Sequence, residues 1–246
     1  MLSKDKQVKA ACYSKFDRPM LPAPITVRIK FCKVGNLQFV SHLDLQRAFH
    51  RILVRAGIPM WYTKGFNPHA KLVFGLPLSV GTESMCEMAD LRIEREISLE
   101  DIKNQLNANL TDEMYVLDAY IPQTKFADIA YARYTMTISS DNMPDNALSQ
   151  IAKLFFTSAP ITMIKRSKSG EKEVDIKSYI KDISANMKDG KLEINAVLAA
   201  GNTESLNPEY LITAIKQNTE IFGDGHNVSY RILRNTVYDA KMQEFR

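Results

Sequence analysis

The spacing of apolar residues writes the same order of elements twice along this chain, and that repetition limits the folds open to it. Residues 25–33 alternate Ile25, Val27, Ile29 and Phe31 with Arg28 and Lys30, the period of a half-buried strand. Ser41 then reads as a helix N-cap, with Asp44 three residues on completing a capping box. Leu45, Ala48, Phe49, Ile52, Leu53 and Ala56 recur at helical spacing until Gly57, which precedes Ile58-Pro59 and ends the helix. Strands are expected at 60–63, 71–78 and 85–95, a second capped helix from Ser98, and a closing strand at 114–121. The order is β-α-β-β-α-β.

The second half runs through it again. A strand is expected at 131–139 and a helix at 147–156. Strands follow at 161–166 and 191–199, with a mixed segment at 174–183 between them. Asn207-Pro208 opens another helix, Pro serving at its first position, and 228–237 reads as the last strand. The expected class is α+β: two ferredoxin-like subdomains, 25–122 and 130–240, packed as an internal pseudo-duplication. Residues 1–24, with Pro19, Pro22 and Pro24, read as a flexible N-terminal arm.

A chain of 246 residues with 45% hydrophobic and 24% charged residues has ordinary globular composition, and no apolar run is long enough to cross a bilayer as a helix. Cys12, Cys32 and Cys86 are odd in number and widely spaced, which gives neither a disulfide framework nor a metal knuckle. The expectation is a cytoplasmic protein with reduced thiols. The net charge of +4 conceals a gradient: residues 1–80 hold 13 Lys and Arg against 3 Asp and Glu, and residues 81–122 hold 3 against 10. A basic face points to an anionic partner, nucleic acid foremost.

Arg47, Arg51 and Arg55 stand one turn apart on the first helix, a spacing of roughly 6 Å that suits successive phosphates. The stretch Tyr62-Thr-Lys-Gly-Phe-Asn-Pro-His-Ala-Lys71 combines turn formers, aromatics and cations as binding loops do. A base could stack on Phe66, Tyr62 or Trp61 while Lys64 and Lys71 take phosphate, with Asn67 shaping the turn. Lys165, Arg166 and Lys168 give the second half a smaller basic patch, of the kind solvated hairpin tips also carry. His42 and His69 are the candidate acid-base pair. Neither has a recognisable carboxylate orienter or a third metal ligand, which favours structural or ligand-contacting roles for both.

The chain is also similar to a known family. Phe39-Val-Ser-His-Leu-Asp-Leu45, Arg55-Ala-Gly-Ile-Pro59, Gly65-Phe-Asn-Pro-His69 and Leu76-Pro-Leu-Ser-Val-Gly81 resemble the bacterial radical-SAM-linked protein family. Val174-Asp-Ile176, Asn207-Pro-Glu209 and Arg234-Asn-Thr236 continue the resemblance. That family is a domain of unknown function, found alone or fused behind a cobalamin-binding radical SAM protein. Lys64 and Ala70 depart from it, where members often carry Gln or Glu and Pro. The resemblance implies a partnership. The signature CxxxCxxC is absent from this sequence, so iron-sulfur cluster, SAM and cobalamin are expected to belong to the partner and no cofactor to this chain.

Three functions follow. The arginine stripe favours an RNA-binding accessory protein that presents ribosomal or transfer RNA to the radical SAM partner. A metal-independent ribonuclease or RNA-modifying enzyme would use His42 and His69. A protein-interaction scaffold without nucleic acid would use the acidic 81–122 surface.

Overall fold

In the computed structural model, residues 18–167, 170–223 and 227–246 are described. Ten strands and four α-helices are present among them: β1 Met20–Lys33, α1 His42–Arg55, β2 Leu72–Phe74, β3 Thr82–Arg95, α2 Leu99–Asn107 and β4 Val116–Tyr120 in the first half. The second half holds β5 Ile129–Ser140, α3 Ala147–Phe155, β6 Thr162–Ser167, β7 Gly170–Asp175, β8 Ile180–Lys188, β9 Lys191–Ala199, α4 Glu209–Asn218 and β10 Val228–Asp239. The class is α+β with a mixed sheet. No helix among the described residues is long and apolar enough to cross a membrane.

The chain divides into two compact units whose borders differ from the sequence expectation. Residues 33–39 and 76–86, expected in the first half, belong with 123–246. Among the described residues, the first unit comprises 18–32 together with 40–75 and 87–122.

In the first unit β1 lies between β4 and β3, and β2 pairs with the far side of β3. α1 forms where the spacing placed it. Ser41 Oγ accepts the Asp44 N–H at 3.2 Å and donates to Asp44 Oδ2 at 2.7 Å. Asp44 therefore closes the cap through the serine hydroxyl. At the other end the Ile58 N–H reaches the Leu53 carbonyl and the Gly57 N–H that of Val54, with Gly57 at φ +66. This pair of bonds satisfies the last carbonyls and needs the left-handed backbone that glycine allows. Leu45, Phe49, Ile52 and Leu53 are buried, and Phe49 packs on Phe31 and Phe74 with centroids 5.0 and 5.4 Å apart. Three interlocking rings hold this helix to β1 and β2.

β1 corrects a simple alternation. Arg28, expected on a solvated face, is 1% exposed and forks onto Asp90 of β3, with bonds of 2.7 and 3.0 Å from Nε and Nη2. The consecutive residues Val27, Arg28 and Ile29 are all buried, so both faces of β1 are covered here and this cation is buried with a partner. Residues 60–63, expected as a strand, make only isolated bridges through Met60 and Tyr62.

In the second unit the strand order is β10-β5-β9-β8, all antiparallel, and the first residues of β3 pair parallel with β10 at Ile232↔Thr82. Residues 161–166 do form a strand, β6. It pairs with β7 in a separate two-stranded sheet, and the place beside β9 is taken by β8. The alternation of 161–166 identified a strand and could not name its partner. β8 keeps Ile180 and Ile183 half-buried among exposed Lys181, Asp182 and Lys188, which made it read as mixed. Cys32 and Cys86 are buried and form no disulfide among the described residues.

Asp90→Ala leaves Arg28 buried without its fork and is expected to cost about 3 kcal/mol. Urea unfolding of the single variant and of Arg28→Met/Asp90→Ala checks this, the double variant recovering much of the stability.

Candidate nucleic-acid interface

The loop singled out by composition is built on a short, tied stem. The Trp61 N–H donates to the Arg92 carbonyl at 2.7 Å, the Arg92 N–H to the Lys71 carbonyl at 3.1 Å, and the Lys71 N–H to the Trp61 carbonyl at 3.0 Å. Above it the Thr63 N–H donates to the His69 carbonyl at 3.0 Å, and the His69 N–H to Thr63 Oγ1 at 3.2 Å. His69 Nδ1 lies 3.1 Å from Thr63 Oγ1 and 3.3 Å from the Asn67 carbonyl. Its inner ring edge thus fixes the turn. Gly65 at φ +140 turns the chain where a side chain would be strained. Beyond it Phe66 is fully exposed, at 106% of its reference area, and Asn67 is exposed beside it.

At the foot of this loop is a cavity of about 540 Å³, lined by Pro24, Thr26, Trp61, Lys64, Lys71, Val73, Asp90 and Arg92. Asp90 is engaged by Arg28, and Arg92 Nη1 donates to Thr26 Oγ1 at 3.0 Å. The side chains of Lys64 and Lys71 are exposed and make no hydrogen bond or ion pair among the described residues. Three cations against one committed carboxylate leave the cavity positive beside an aromatic face.

The arginine stripe of α1 divides. Arg47 Nη1 pairs with Asp44 Oδ1 at 3.1 Å, both more than 60% exposed. Arg55 donates from Nε and Nη2 to the side chain and carbonyl of Asn109, at 2.9 and 2.6 Å. The side chain of Arg51 is exposed and makes no hydrogen bond or ion pair among the described residues. Of the described residues lining the cavity, none is one of these three. His42 begins α1 with its ring edge on Phe74, centroids 5.3 Å apart. Lys168 lies outside the described residues, as do the side chains of Lys165 and Arg166; the backbone of the latter two runs in β6.

Arg92 escaped the sequence reading because it stands in the acidic segment. Its position between buried Leu91 and Ile93 was the available signal: alternation turns it to the face that carries Asp90. The Ser41 hydroxyl, and after it Arg47, hold the Asp44 carboxyl below its ordinary range.

A family model described as "Uncharacterized protein conserved in bacteria (DUF2344)" matches residues 26–208, and the chain belongs to that family. No curated protein matches it. Among solved structures, one chain of a Cbf5-Nop10-Gar1 complex is similar at 12% identity and TM-score 0.46 over 86% of this chain. That match spans 48%, about half, of the other chain. An unknown protein from Galdieria sulphuraria is similar at 8% identity and TM-score 0.25, covering 85% of this chain and 98% of its own.

Ser41→Ala removes the cap and is expected to cost about 1 kcal/mol in thermal or urea unfolding. A carboxyl whose pKa is lowered on folding stabilises above its unfolded pKa, and that contribution fades as pH falls through the lowered value. The gap between wild type and Ser41→Ala should therefore narrow on acidification and stay constant above the ordinary carboxylate range.

Proposed function

We propose that this protein binds RNA through the Trp61 cavity and its loop, and presents that RNA, ribosomal or transfer, to a cobalamin-binding radical SAM partner in the cytoplasm. The observation that carries the reading is the convergence of Trp61, Lys64, Lys71 and Arg92 on one cavity, beneath an exposed Phe66. Single-stranded nucleic acid is held by this combination: every base has a face to stack on an aromatic ring, and lysines follow the phosphates without reading sequence. A base enters beside Trp61, Lys64 and Lys71 take the flanking phosphates, and Phe66 stacks on a neighbouring base.

The partner is inferred from the family resemblance of the Ser41-His-Leu-Asp44 and Gly65-Phe-Asn-Pro-His69 stretches; cluster, SAM and cobalamin belong to it. The contacts of His42 with Phe74 and of His69 with its own turn support structural roles, and hence an accessory protein over a nuclease. We read the two halves as ferredoxin-like duplicates. The orders β4-β1-β3-β2 and β10-β5-β9-β8 support this, with β6-β7 inserted in the second.

Lys64→Glu/Lys71→Glu should weaken RNA binding at least tenfold in filter binding and make the log–log salt slope shallower by about 1.4, roughly 0.7 for each phosphate no longer neutralised. Unchanged affinity and slope would overturn the reading. Phe66→Ala should leave the melting temperature unchanged, since the ring touches solvent, and reduce RNA affinity by about tenfold. The isolated chain should not cleave RNA; cleavage abolished in His42→Ala or His69→Ala would make it an enzyme.

A further inference from the structure

A second cavity, of about 260 Å³, lies within the second unit and takes no part in the RNA reading. Three stretches singled out in the sequence meet on its wall: Leu76-Pro-Leu-Ser79, Asn207-Pro208 and Arg234. We propose that it binds a small organic carboxylate with an apolar body.

The side-chain polar groups on the wall, the hydroxyls of Ser79, Thr82, Tyr134 and Ser205, the Asn207 amide and the Arg234 guanidinium, are donors or can act as donors. Thr82 is 1% exposed, stands on the cavity wall, and its Oγ1 has no hydrogen-bond partner among the described residues. A buried hydroxyl in that state awaits a partner. Asn207 Oδ1 accepts the Glu209 N–H at 3.2 Å, so the half of the amide left for a ligand is the NH₂ group. Arg234, 2% exposed, fixes the wall by donating from Nη2 to the Leu76 carbonyl at 2.8 Å, and a guanidinium only donates. No Asp or Glu is among the described residues lining the cavity. A carboxylate, with about four lone-pair sites on two oxygens, matches a donor set of this size.

Leu76, Leu78, Leu206 and the ring of Tyr134 supply the apolar part of the wall. At about 30 Å³ for each water-sized group, the cavity takes roughly nine non-hydrogen atoms. Inorganic phosphate, with five non-hydrogen atoms, would leave nearly half of it empty.

The test uses the full chain with benzoate and hexanoate as probes and benzamide as the uncharged control. Ligand-observed NMR should show saturable benzoate binding that raises the melting temperature, with benzamide about tenfold weaker. Thr82→Val keeps the volume and removes the hydroxyl, so benzoate should weaken about fivefold while the protein stays folded. Asn207→Asp is exposed and still caps the Glu209 N–H, but replaces the donor with a negative charge; benzoate binding should be lost. The proposal is overturned if neither carboxylate binds saturably, if benzamide matches benzoate, or if both variants bind benzoate as the wild type does. RNA binding by Lys64 and Lys71 is measured separately and is unaffected by any of these outcomes.

Discussion

The fork from Arg28 to Asp90 sets the geometry on which the first unit depends. Arg28 is opposite Tyr120 on β4, and Asp90 is opposite Val73 on β2, so one ion pair between β1 and β3 fixes a point in the middle of four strands. Two parallel charge-assisted bonds tolerate no slip: moving β1 by one residue would turn Arg28 to the other face and part the two charges. β3 carries this fixed point into Arg92, two residues on, whose backbone clamps Trp61 and Lys71. The cations and ring of the cavity are therefore placed by backbone hydrogen bonds to a strand that cannot shift.

What was legible in the sequence is what depends on neighbours along the chain. Ser41, Ser98 and Gly57 mark helix ends because capping involves residues within one turn, and all three act as expected. Leu45, Phe49, Ile52 and Leu53 face the core because a helical stripe has one period. Pairing across the sheet was not legible in the same way. Residues 161–166 have a strand's alternation whether their partner is β7 or β9, and only the chain between them decides. Arg28 shows the same limit: alternation gave it a face without saying that a carboxylate 62 residues away would neutralise it there.

Charge counted over a segment was a partial guide. The excess of Lys and Arg in residues 1–80 is real, yet Arg47 and Arg55 spend their guanidinium groups within the protein. The segment richest in acid supplies Arg92 to the cavity and uses Asp90 on Arg28. What matters for an anionic ligand is which cations remain uncommitted on one surface. By that measure Lys64, Lys71 and Arg51 weigh more than the length of the arginine stripe, because each can meet a phosphate without first breaking a bond inside the protein.

The same economy applies to the loop tip. Between Thr63 and His69 the stem is closed by one backbone bond, one bond from the His69 N–H to the Thr63 hydroxyl and one ring nitrogen, while Phe66 stands wholly in water. An exposed phenyl ring gains nothing for folding, since its area is the same in the unfolded chain. Whatever it stabilises must be formed on contact with something else. Because Gly65 and the stem already fix where the ring stands, stacking a base on it orders one side chain of two rotatable bonds and no backbone, which keeps most of the stacking energy as affinity. A mobile loop with the same residues would lose much of that gain to conformational entropy. The tied stem and the bare ring therefore work as one device, rigid where it joins the sheet and unsatisfied where it meets a ligand.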